Sequence, residues 1–384
     1  MVSRVKYSSL VMLLMLSLSG HAQNFDTFRW VHWDTLNSAL TGNHVRDIHF
    51  ESKDLTFATT DGLALSRFEK GKWSPVKGRV PLAEESGWLN ETLKLPDGRI
   101  LITGFPGKLV FFHPSTNRWV YQTTPGGKQV WKATLSPKGV VLLGTSLNSQ
   151  SSIYTYSNGT FTLLCDSLED AFSFWFDKDG NVLISARKGT YLFHVKPDGS
   201  FKPKPQKQTA LCFYDMVEDA QGVLWGSAFP DMQLYYRKGE DWVLQTGLPV
   251  ESQYDYNGTL KVCLHRLLAL PDNRIVAATQ FGSYLIVGRD SNWKSYPVPI
   301  PHGQFDGIQQ VRRAEDGSIW VATWHHGIYV LCSVQTARDR LKAPLYEDRY
   351  QAPTPPKAIQ PPVKPTPPNT RPKVRVPRHP MWKD

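Results

Sequence analysis

A short element repeats seven times along the chain, and its most regular copy is QQVRRAEDGSIWVATWHHGIYVL, residues 309–331. In that copy apolar and polar residues alternate in three short runs, which is the period-two pattern of half-buried β-strands. The turn Glu315-Asp316-Gly317 between the first two runs suits a tight hairpin, because Gly tolerates positive φ. Three strands of this size cannot bury their apolar faces alone, so the element needs neighbouring copies of itself.

The other six copies carry Asp, Asn or Gly at the same turn position, 41 to 51 residues apart along the chain. These turn residues are Asp54, Gly98, Gly139, Gly180, Gly222, Asn273 and Gly317. A period of about 40–50 residues is that of one four-stranded propeller blade. Most copies are followed by a fourth strand, but the seventh is not, whereas an extra strand, 27–33, precedes the first copy. The sequence therefore predicts an all-β fold, a seven-bladed β-propeller over residues 24–334. Its N-terminal strand pairs with the last blade, closes the ring and protects an open edge.

The repeats are similar to those of a known family. NSALTGNHVRDIHFESKDLTFATTDGLAL (residues 37–65) and VRRAEDGSIWVATWHHGIYVL (311–331) resemble the repeat of the two-component regulator propeller family, N-x-V-x-x-I-x-x-D-x-x-G-x-x-W-x-G-T-x-x-G-L. The resemblance is closest in the first and seventh copies and loosest in the second, third, fourth and sixth. It implies a ligand-sensing propeller outside the cytoplasmic membrane, which in that family is often tied to a histidine kinase. Nothing after residue 334 resembles a transmembrane helix or a kinase, so the resemblance implies sensing or binding without signalling by this chain alone.

The two ends of the chain differ from the repeats. Residues 1–22 have a basic start, an apolar run and small residues near a cleavage position, which predicts a signal peptide; the alternative is an uncleaved anchor. Residues 335–384 contain 12 of the 28 prolines, which predicts a disordered tail in an extended polyproline II conformation. We therefore expect an exported protein, secreted or held in the periplasm of a bacterial envelope, with no transmembrane segment after the signal.

Charge is unevenly divided along the chain. Lys and Arg total 44 and Asp and Glu total 34, but residues 335–384 hold eleven of the bases and only four of the acids. The predicted propeller is thus nearly neutral, which disfavours nucleic-acid binding, because that function needs a basic face. The basic tail is either an inert spacer or a cationic arm that binds an anionic envelope polymer.

Four cysteines lie in the repeats. Cys212 and Cys263 occupy the same position in adjacent repeats. They either form a disulfide or remain two buried thiols, and the sequence favours the thiols. No C-x-x-C pair is present, and no metal or redox motif is predicted from the cysteines.

Aligning the repeats places two sets of residues where the innermost strands begin, around one end of the central channel. The first ring is Arg46, Asn90, Trp131, Phe172, Tyr214, His265 and Gln309. The second ring is Asp47, Glu91, Lys132, Ser173, Asp215, Arg266 and Gln310. One ring is expected to face the channel mouth and the other the packing between blades, and the sequence does not say which. The candidate binding residues are Arg46, Trp131, Tyr214, His265, Trp324 and His325. Their aromatic rings suit stacking on a sugar or a peptide side chain, or else they fill the wedge between blades.

The sequence weakly supports catalysis and metal binding. His325 and His326 are adjacent, and adjacent strand residues point to opposite faces, so we predict no metal and no cofactor. Asp47 or Asp215 with His265 would make an acid–base pair, which leaves a lyase or hydrolase acting on a polysaccharide or small molecule as an alternative. The interpretation that we favour is a non-catalytic recognition or sensor propeller that binds a small ligand, glycan or envelope protein. A structural envelope protein that acts through its tail is the third possibility.

Overall fold

Each repeat folds into a four-stranded antiparallel sheet, and seven such sheets form the ring of a seven-bladed β-propeller, as predicted. The structure is a computed structural model that describes residues 24–60, 64–77, 89–147, 150–196, 198–202, 204–229, 233–249, 264–280, 284–300 and 307–346. The predicted signal peptide and residues 347–384 of the predicted tail lie outside the described residues. In the described part of the chain, no helix is long and apolar enough to cross a membrane.

The strands are numbered along the chain, beginning with β1 (Arg29–Trp33). The first blade contains β2 (Val45–Ser52), β3 (Leu55–Thr60), β4 (Ala64–Glu69) and β5 (Lys72–Pro75). The second contains β6 (Thr92–Lys94), β7 (Ile100–Ile102), β8 (Lys108–His113) and β9 (Arg118–Thr123). The third contains β10 (Gln129–Leu135), β11 (Val141–Leu147), β12 (Gln150–Ser157) and β13 (Thr160–Glu169). The fourth contains β14 (Ala171–Phe176), β15 (Val182–Ala186), β16 (Gly189–Phe193) and β17 (Gln206–Thr209).

The fifth blade contains β18 (Cys212–Glu218), β19 (Leu224–Phe229), β20 (Gln233–Lys238) and β21 (Asp241–Leu244). The sixth contains β22 (Leu264–Ala269), β23 (Ile275–Thr279), β24 (Tyr284–Arg289) and β25 (Asn292–Pro297). The seventh contains β26 (Ile308–Arg313), β27 (Ile319–Thr323), β28 (Ile328–Cys332) and, from the other end of the chain, β1. Short 3-10 turns lie at Phe25–Thr27 and Pro125–Gly127, and two short helical segments follow β28, at Val334–Thr336 and Ala337–Leu341.

The repeated turn residues have the backbone conformation that the sequence predicted. Six of the seven have positive φ, between 67° at Asn273 and 87° at Gly180, in the turn that joins the first two strands of a blade. Gly and Asn are the residues that tolerate this conformation best, so the turn fixes the register of each hairpin.

Strand β1 closes the ring as predicted. It pairs antiparallel with β28, from Arg29 opposite Cys332 to Trp33 opposite Ile328, and so becomes the outer strand of the seventh blade. The predicted strand began at residue 27, but Phe25–Thr27 form a 3-10 turn because the side chain of Asn24 caps it by accepting a hydrogen bond from the Asp26 N–H. A fourth strand that the sequence did not reveal, β17, completes the fourth blade.

The hydrophobic core is divided among the seven interfaces between blades. The described residues form seven apolar clusters, each built from two neighbouring blades and here called the interblade cores. The core between the seventh and first blades stacks Trp33, Phe68, Trp73 and Trp320, with neighbouring ring centres 5.1 to 6.3 Å apart. Each blade therefore depends on both neighbours to bury its faces.

The folded region extends past residue 334, where the sequence placed the start of the disordered tail. Ala337 and Leu341 are buried in the core between the seventh and first blades. Arg340 binds Asp316 at 2.5 Å and donates to the Lys53 carbonyl at 2.9 Å, so it joins turns of the seventh and first blades. We call residues 334–346 the C-terminal segment.

Candidate functional site

The first ring consists of bulged residues. In six innermost strands the pairing with the second strand skips one residue, and the skipped residues are Arg46, Trp131, Phe172, Tyr214, His265 and Gln309. In the second blade Asn90 and Glu91 both oppose Thr103, which is the same two-against-one arrangement. A β-bulge re-aims the side chain that it carries and is common beside binding sites.

These side chains lie outside the interblade cores. Among the described residues, none of Trp131, Tyr214 and Trp324 belongs to any of the seven clusters. All three are half-buried. The wedges between blades are filled by other residues, and the channel end at which the first ring lies is here called the mouth.

Tyr214 and His265 are part of an aromatic row across three neighbouring blades. The Tyr214 ring is stacked 5.7 Å from Phe172 and lies 4.1 Å from His265, measured between ring centres. The Arg266 guanidinium carbon is 5.3 Å from the centre of the Tyr214 ring. Aromatic pairs at these distances hold each other's orientation, so the row presents a pre-formed surface.

Arg46, Trp324 and His325 form a second group at the junction of the seventh and first blades. Arg46 donates from Nη1 to Gln309 Oε1 at 3.4 Å, and its guanidinium carbon is 6.0 Å from the Trp324 ring centre. The His44 ring lies 5.6 Å from Trp324, roughly parallel to it, and 5.8 Å from His325. His325 is exposed. His44 was missed by the sequence alignment, because it precedes the ring positions and contacts a loop from the other end of the chain.

Trp131 occupies the equivalent bulge in the third blade. In the described part of the structure it makes no ring contact with either group. Five of the six predicted residues therefore lie in two groups. The groups adjoin at His265, whose Nδ1 lies 3.2 Å from the carbonyl oxygen of Ile308, and Ile308 directly precedes Gln309 in the sequence.

Three buried polar atoms of the mouth have no hydrogen-bond partner among the described residues: His265 Nε2, Gln309 Nε2 and Trp324 Nε1. His265 is 3% exposed and Gln309 5% exposed. Such atoms are rare in folded proteins, since leaving a buried polar group unsatisfied costs about 1–3 kcal/mol. Other such atoms occur elsewhere in the described residues, as at Trp73 Nε1 and Trp119 Nε1, but these three belong to residues of one channel end.

The chemical character of these atoms follows from their neighbours. The Ile308 oxygen can only accept, so His265 Nδ1 carries the proton and donates to it, which leaves Nε2 as an acceptor in the neutral ring. Burial, together with the nearby Arg266, lowers the pKa of His265 well below its ordinary value and keeps the ring neutral. Arg46 donates to Oε1 of Gln309, so the unpaired Nε2 of that amide is a donor, as is the Trp324 indole nitrogen.

The second ring forms a network of ion pairs inside the channel. Arg312 donates to Asp47 Oδ1 at 3.0 Å, Lys132 binds Glu91 Oε1 at 2.7 Å, and Arg266 of the sixth blade lies 3.9 Å from Glu91 of the second. Burial alone would raise the pKa of Asp47, but Arg312 and two hydrogen bonds from Thr92 together lower it, so Asp47 is ionised. The importance of Arg312 was not visible in the sequence, because it lies two positions beyond the second ring.

The acid–base pair considered from the sequence is not formed. Both oxygens of the Asp215 carboxylate accept backbone N–H groups, from Met216 and from Leu267, and Asp47 is held by Arg312 and Thr92. Among the described residues, His265 makes no hydrogen bond to a carboxylate.

No group of three His, Cys, Asp or Glu side chains suited to a metal ion occurs in the described ranges. Cys212 has a free thiol, and burial raises its pKa to about 11; Cys263 lies outside the described residues.

These observations define the molecule as a seven-bladed propeller whose channel mouth carries aromatic and polar side chains from several blades. No protein-family model and no curated protein sequence matches the chain. Its fold is similar to that of virginiamycin B lyase from Staphylococcus aureus, with a TM-score of 0.63 and 12% identity, covering 79% of this chain and 99% of that one.

Two further solved structures share the fold. One is the extracellular domain of a hybrid two-component system from B. thetaiotaomicron, with a TM-score of 0.60 and 14% identity, covering 79% of this chain and 42% of that one. The other is YCF48 bound to D1 peptide, with a TM-score of 0.59 and 13% identity, covering 82% of this chain and 97% of that one. At these identities the similarity shows the fold and does not choose between an enzyme and a sensor domain.

Proposed function

We propose that this chain is an exported recognition or sensor propeller that binds a small ligand, a glycan or a segment of an envelope protein at the channel mouth without transforming it. The observation that carries the proposal is the group of three buried, unpartnered polar atoms, His265 Nε2, Gln309 Nε2 and Trp324 Nε1. A ligand that offers hydrogen-bond partners to these atoms would bind favourably, since buried polar groups are normally paired. A mouth with such pre-placed groups is suited to recognition.

The chemistry of these atoms narrows the ligand. One is an acceptor and two are donors, so a matching group must offer both a donor and acceptors, as an amide or a hydroxyl-bearing ring does. A carboxylate has no proton to give to His265 and an ammonium group has no acceptor for Gln309. Tyr214 and Trp131 supply aromatic faces for stacking on the ligand, which suits sugars and peptides.

The resemblance to two-component regulator propellers supports a sensing role outside the cytoplasmic membrane, as do the extracellular domains that share the fold. Export also agrees with the signal-like residues 1–22.

We favour binding over catalysis because an acid–base catalyst works best with a pKa near the working pH, whereas His265 is buried with a pKa well below its ordinary value.

The test begins with a thermal-shift screen of the protein against glycans, peptides and envelope fragments, because a ligand that binds only the folded state raises Tm. Affinity and Tm are then measured for Trp131→Ala and Trp324→Ala. If these residues are anchors, each change weakens binding by about 1–3 kcal/mol with little change in Tm. Each ligand that binds is also incubated with the protein and analysed by mass spectrometry.

Trp242→Ala is the matched control. Trp242 lies on outer strand β21, with its ring centre 4.1 Å from that of Phe213 in an interblade core. Its loss should cost about 3–5 kcal/mol of stability and leave the affinity of the folded molecules unchanged. If Trp131→Ala and Trp324→Ala behave like this control, the mouth is not the binding site. Formation of a product from a bound ligand would show a lyase or hydrolase instead of a binder.

A further inference from the structure

A cavity lies among the innermost strands, further along them from the first ring than the second ring is. Its volume is about 360 Å³, within the range of small-molecule sites. The lining residues come from the innermost strands of the first four blades and the seventh. They lie at the second ring or one to three positions beyond it, as at Lys132, Phe174 and Arg312. No first-ring residue lines it. At the second ring, Arg266 of the sixth blade lies 3.9 Å from Glu91 of the second blade, which also lines the cavity.

The ion pairs around this cavity expose their cations more than their carboxylates. Lys94 binds Glu51 at 2.8 Å, and their side chains are 46% and 18% exposed. Arg312 binds Asp47, and their side chains are 39% and 0% exposed. The side chains of Lys132 and Glu91 differ in the same direction, since they are 17% and 12% exposed. Lys94, Lys132 and Arg312 line the cavity, whereas Asp47 and Glu51 do not, so the space meets three cations and one carboxylate, that of Glu91.

Arg312 has hydrogen-bonding capacity left for a ligand. Both its Nε and its Nη2 point at one atom, Asp47 Oδ1, at 3.2 and 3.0 Å. Nη1 has no partner among the described residues, and Arg312 itself lines the cavity. A guanidinium fork is well matched to phosphate and carboxylate oxygens. Phe50 and Phe174 complete the wall with apolar surface, which lowers the local dielectric and strengthens charge interactions.

We propose that this cavity is a second binding site, independent of the mouth, for a small anion that carries phosphate or carboxylate oxygens. The oxygens face Arg312, Lys132 and Lys94, and any apolar part of the ligand packs against Phe50 and Phe174. His49 and Glu91 also line the cavity. Burial lowers the pKa of His49, so its ring adds no charge at neutral pH and the three cations carry the attraction.

The experiment measures Tm and binding heat of the full chain with inorganic phosphate, a phosphate ester, succinate and citrate, with chloride balancing the ionic strength. We expect a saturable rise in Tm with at least one of these anions, and the four arms distinguish phosphate from carboxylate chemistry. Arg312→Lys keeps a charge beside Asp47 but removes the fork, and it should weaken binding about tenfold. Lys94→Gln should weaken it about fivefold.

Lys72→Gln, at an exposed position on outer strand β5, is the control and should bind like the wild type. If Arg312→Lys does not fold, Lys94→Gln still decides the matter, because Lys94 is the most exposed of the three cations. Binding that is equal in Lys94→Gln, Lys72→Gln and the wild type would place the anion elsewhere, for example on the basic residues after Tyr346, and would overturn the proposal. The absence of a saturable rise with all four anions would overturn it as well.

Discussion

At the scale of single residues, one backbone contact decides the chemistry of the mouth. The Ile308 carbonyl oxygen fixes the proton of His265 on Nδ1 and so makes Nε2 an acceptor. His265 is the bulged residue of its strand, its side chain is nearly fully buried, and its Nε2 has no partner among the described residues. Burial of the same ring gives this residue a measurable effect on stability.

His265 should make the protein less stable in mild acid. Its pKa in the folded state lies well below 6.5, the value expected in the unfolded chain. Below pH 6.5 the unfolded state therefore binds a proton that the folded state does not, and stability falls by up to about 1.4 kcal/mol per pH unit. His265→Asn abolishes this titration but keeps an N–H donor for the Ile308 oxygen. Urea unfolding between pH 6.5 and 5 should show a smaller slope for this variant than for the wild type.

His325→Asn is the control for that experiment, because His325 is exposed on the loop after β27. It should leave the slope unchanged. Equal slopes for wild type and His265→Asn would mean that the His265 ring takes up its proton as readily in the folded protein as in the unfolded chain, which contradicts its burial.

The sequence predicted the positions of the mouth residues better than their roles. Alignment of the repeats placed Arg46, Tyr214 and His265 at equivalent positions, and in the structure each of them is the bulged residue of its strand. Which ring faces the mouth depends on that bulge, and a period-two pattern carries no signal for an unpaired residue. The contacts of His44 with Trp324 and of Arg312 with Asp47 join opposite ends of the chain, so no local pattern could reveal them.

At the scale of single elements, closure of the ring depends on a close approach between β1 and β28. Gly327 precedes β28 with φ of +73°, and a Cβ there would lie 2.1 Å from the Trp33 carbonyl oxygen. Its N–H donates to the Asn43 oxygen at 2.8 Å. The sequence pattern predicts a strand that begins at Gly327, but only the pairing of β1 explains why no side chain fits at this position.

Gly327→Ala should therefore destabilise the protein more than its backbone conformation alone predicts. Gly98 is the matched control, since its φ is +82° and nothing lies within 4 Å of a Cβ at that position. Gly98→Ala should cost about 1–2 kcal/mol, the strain of a left-handed conformation. Gly327→Ala adds the clash with β1 to that strain, and the difference is measured by urea unfolding. Equal losses would show that β1 yields without cost and does not hold the ring closed.

The C-terminal segment is a second closure element. All of it except Val334 was predicted as tail, because residues 335–384 hold 12 of the 28 prolines. Leu341 is fully buried in the core between the seventh and first blades, so Leu341→Ala should cost about 2–5 kcal/mol. Val334→Ala, at a position that is 41% exposed, is the control and should change stability by less than about 0.5 kcal/mol. An unfolding midpoint of Leu341→Ala close to that of the control would show that the segment only rests on the surface.

At the scale of the whole molecule, the interblade cores make the described part of the chain a ring in which each blade is stabilised from both sides. The repeat period alone was enough to predict that ring, because only stacking of neighbouring copies buries both faces of such thin sheets. Residues 347–384 contain eight Lys or Arg and three Asp or Glu.

Truncation after Tyr346 should thus separate stability from charge. It keeps Leu341 and Arg340, so Tm should stay at the wild-type value, whereas binding to an anionic matrix such as lipopolysaccharide should be lost. Retention of the full chain should weaken as salt rises, since the screening length shrinks from about 10 Å at 0.1 M to about 3 Å at 1 M. A full-length variant with Arg371, Lys373 and Arg375 changed to Gln keeps the proline-rich spacer but removes charge, and it should show intermediate retention. If the truncated and full chains elute at the same salt concentration, the residues after Tyr346 are a spacer and not a cationic arm.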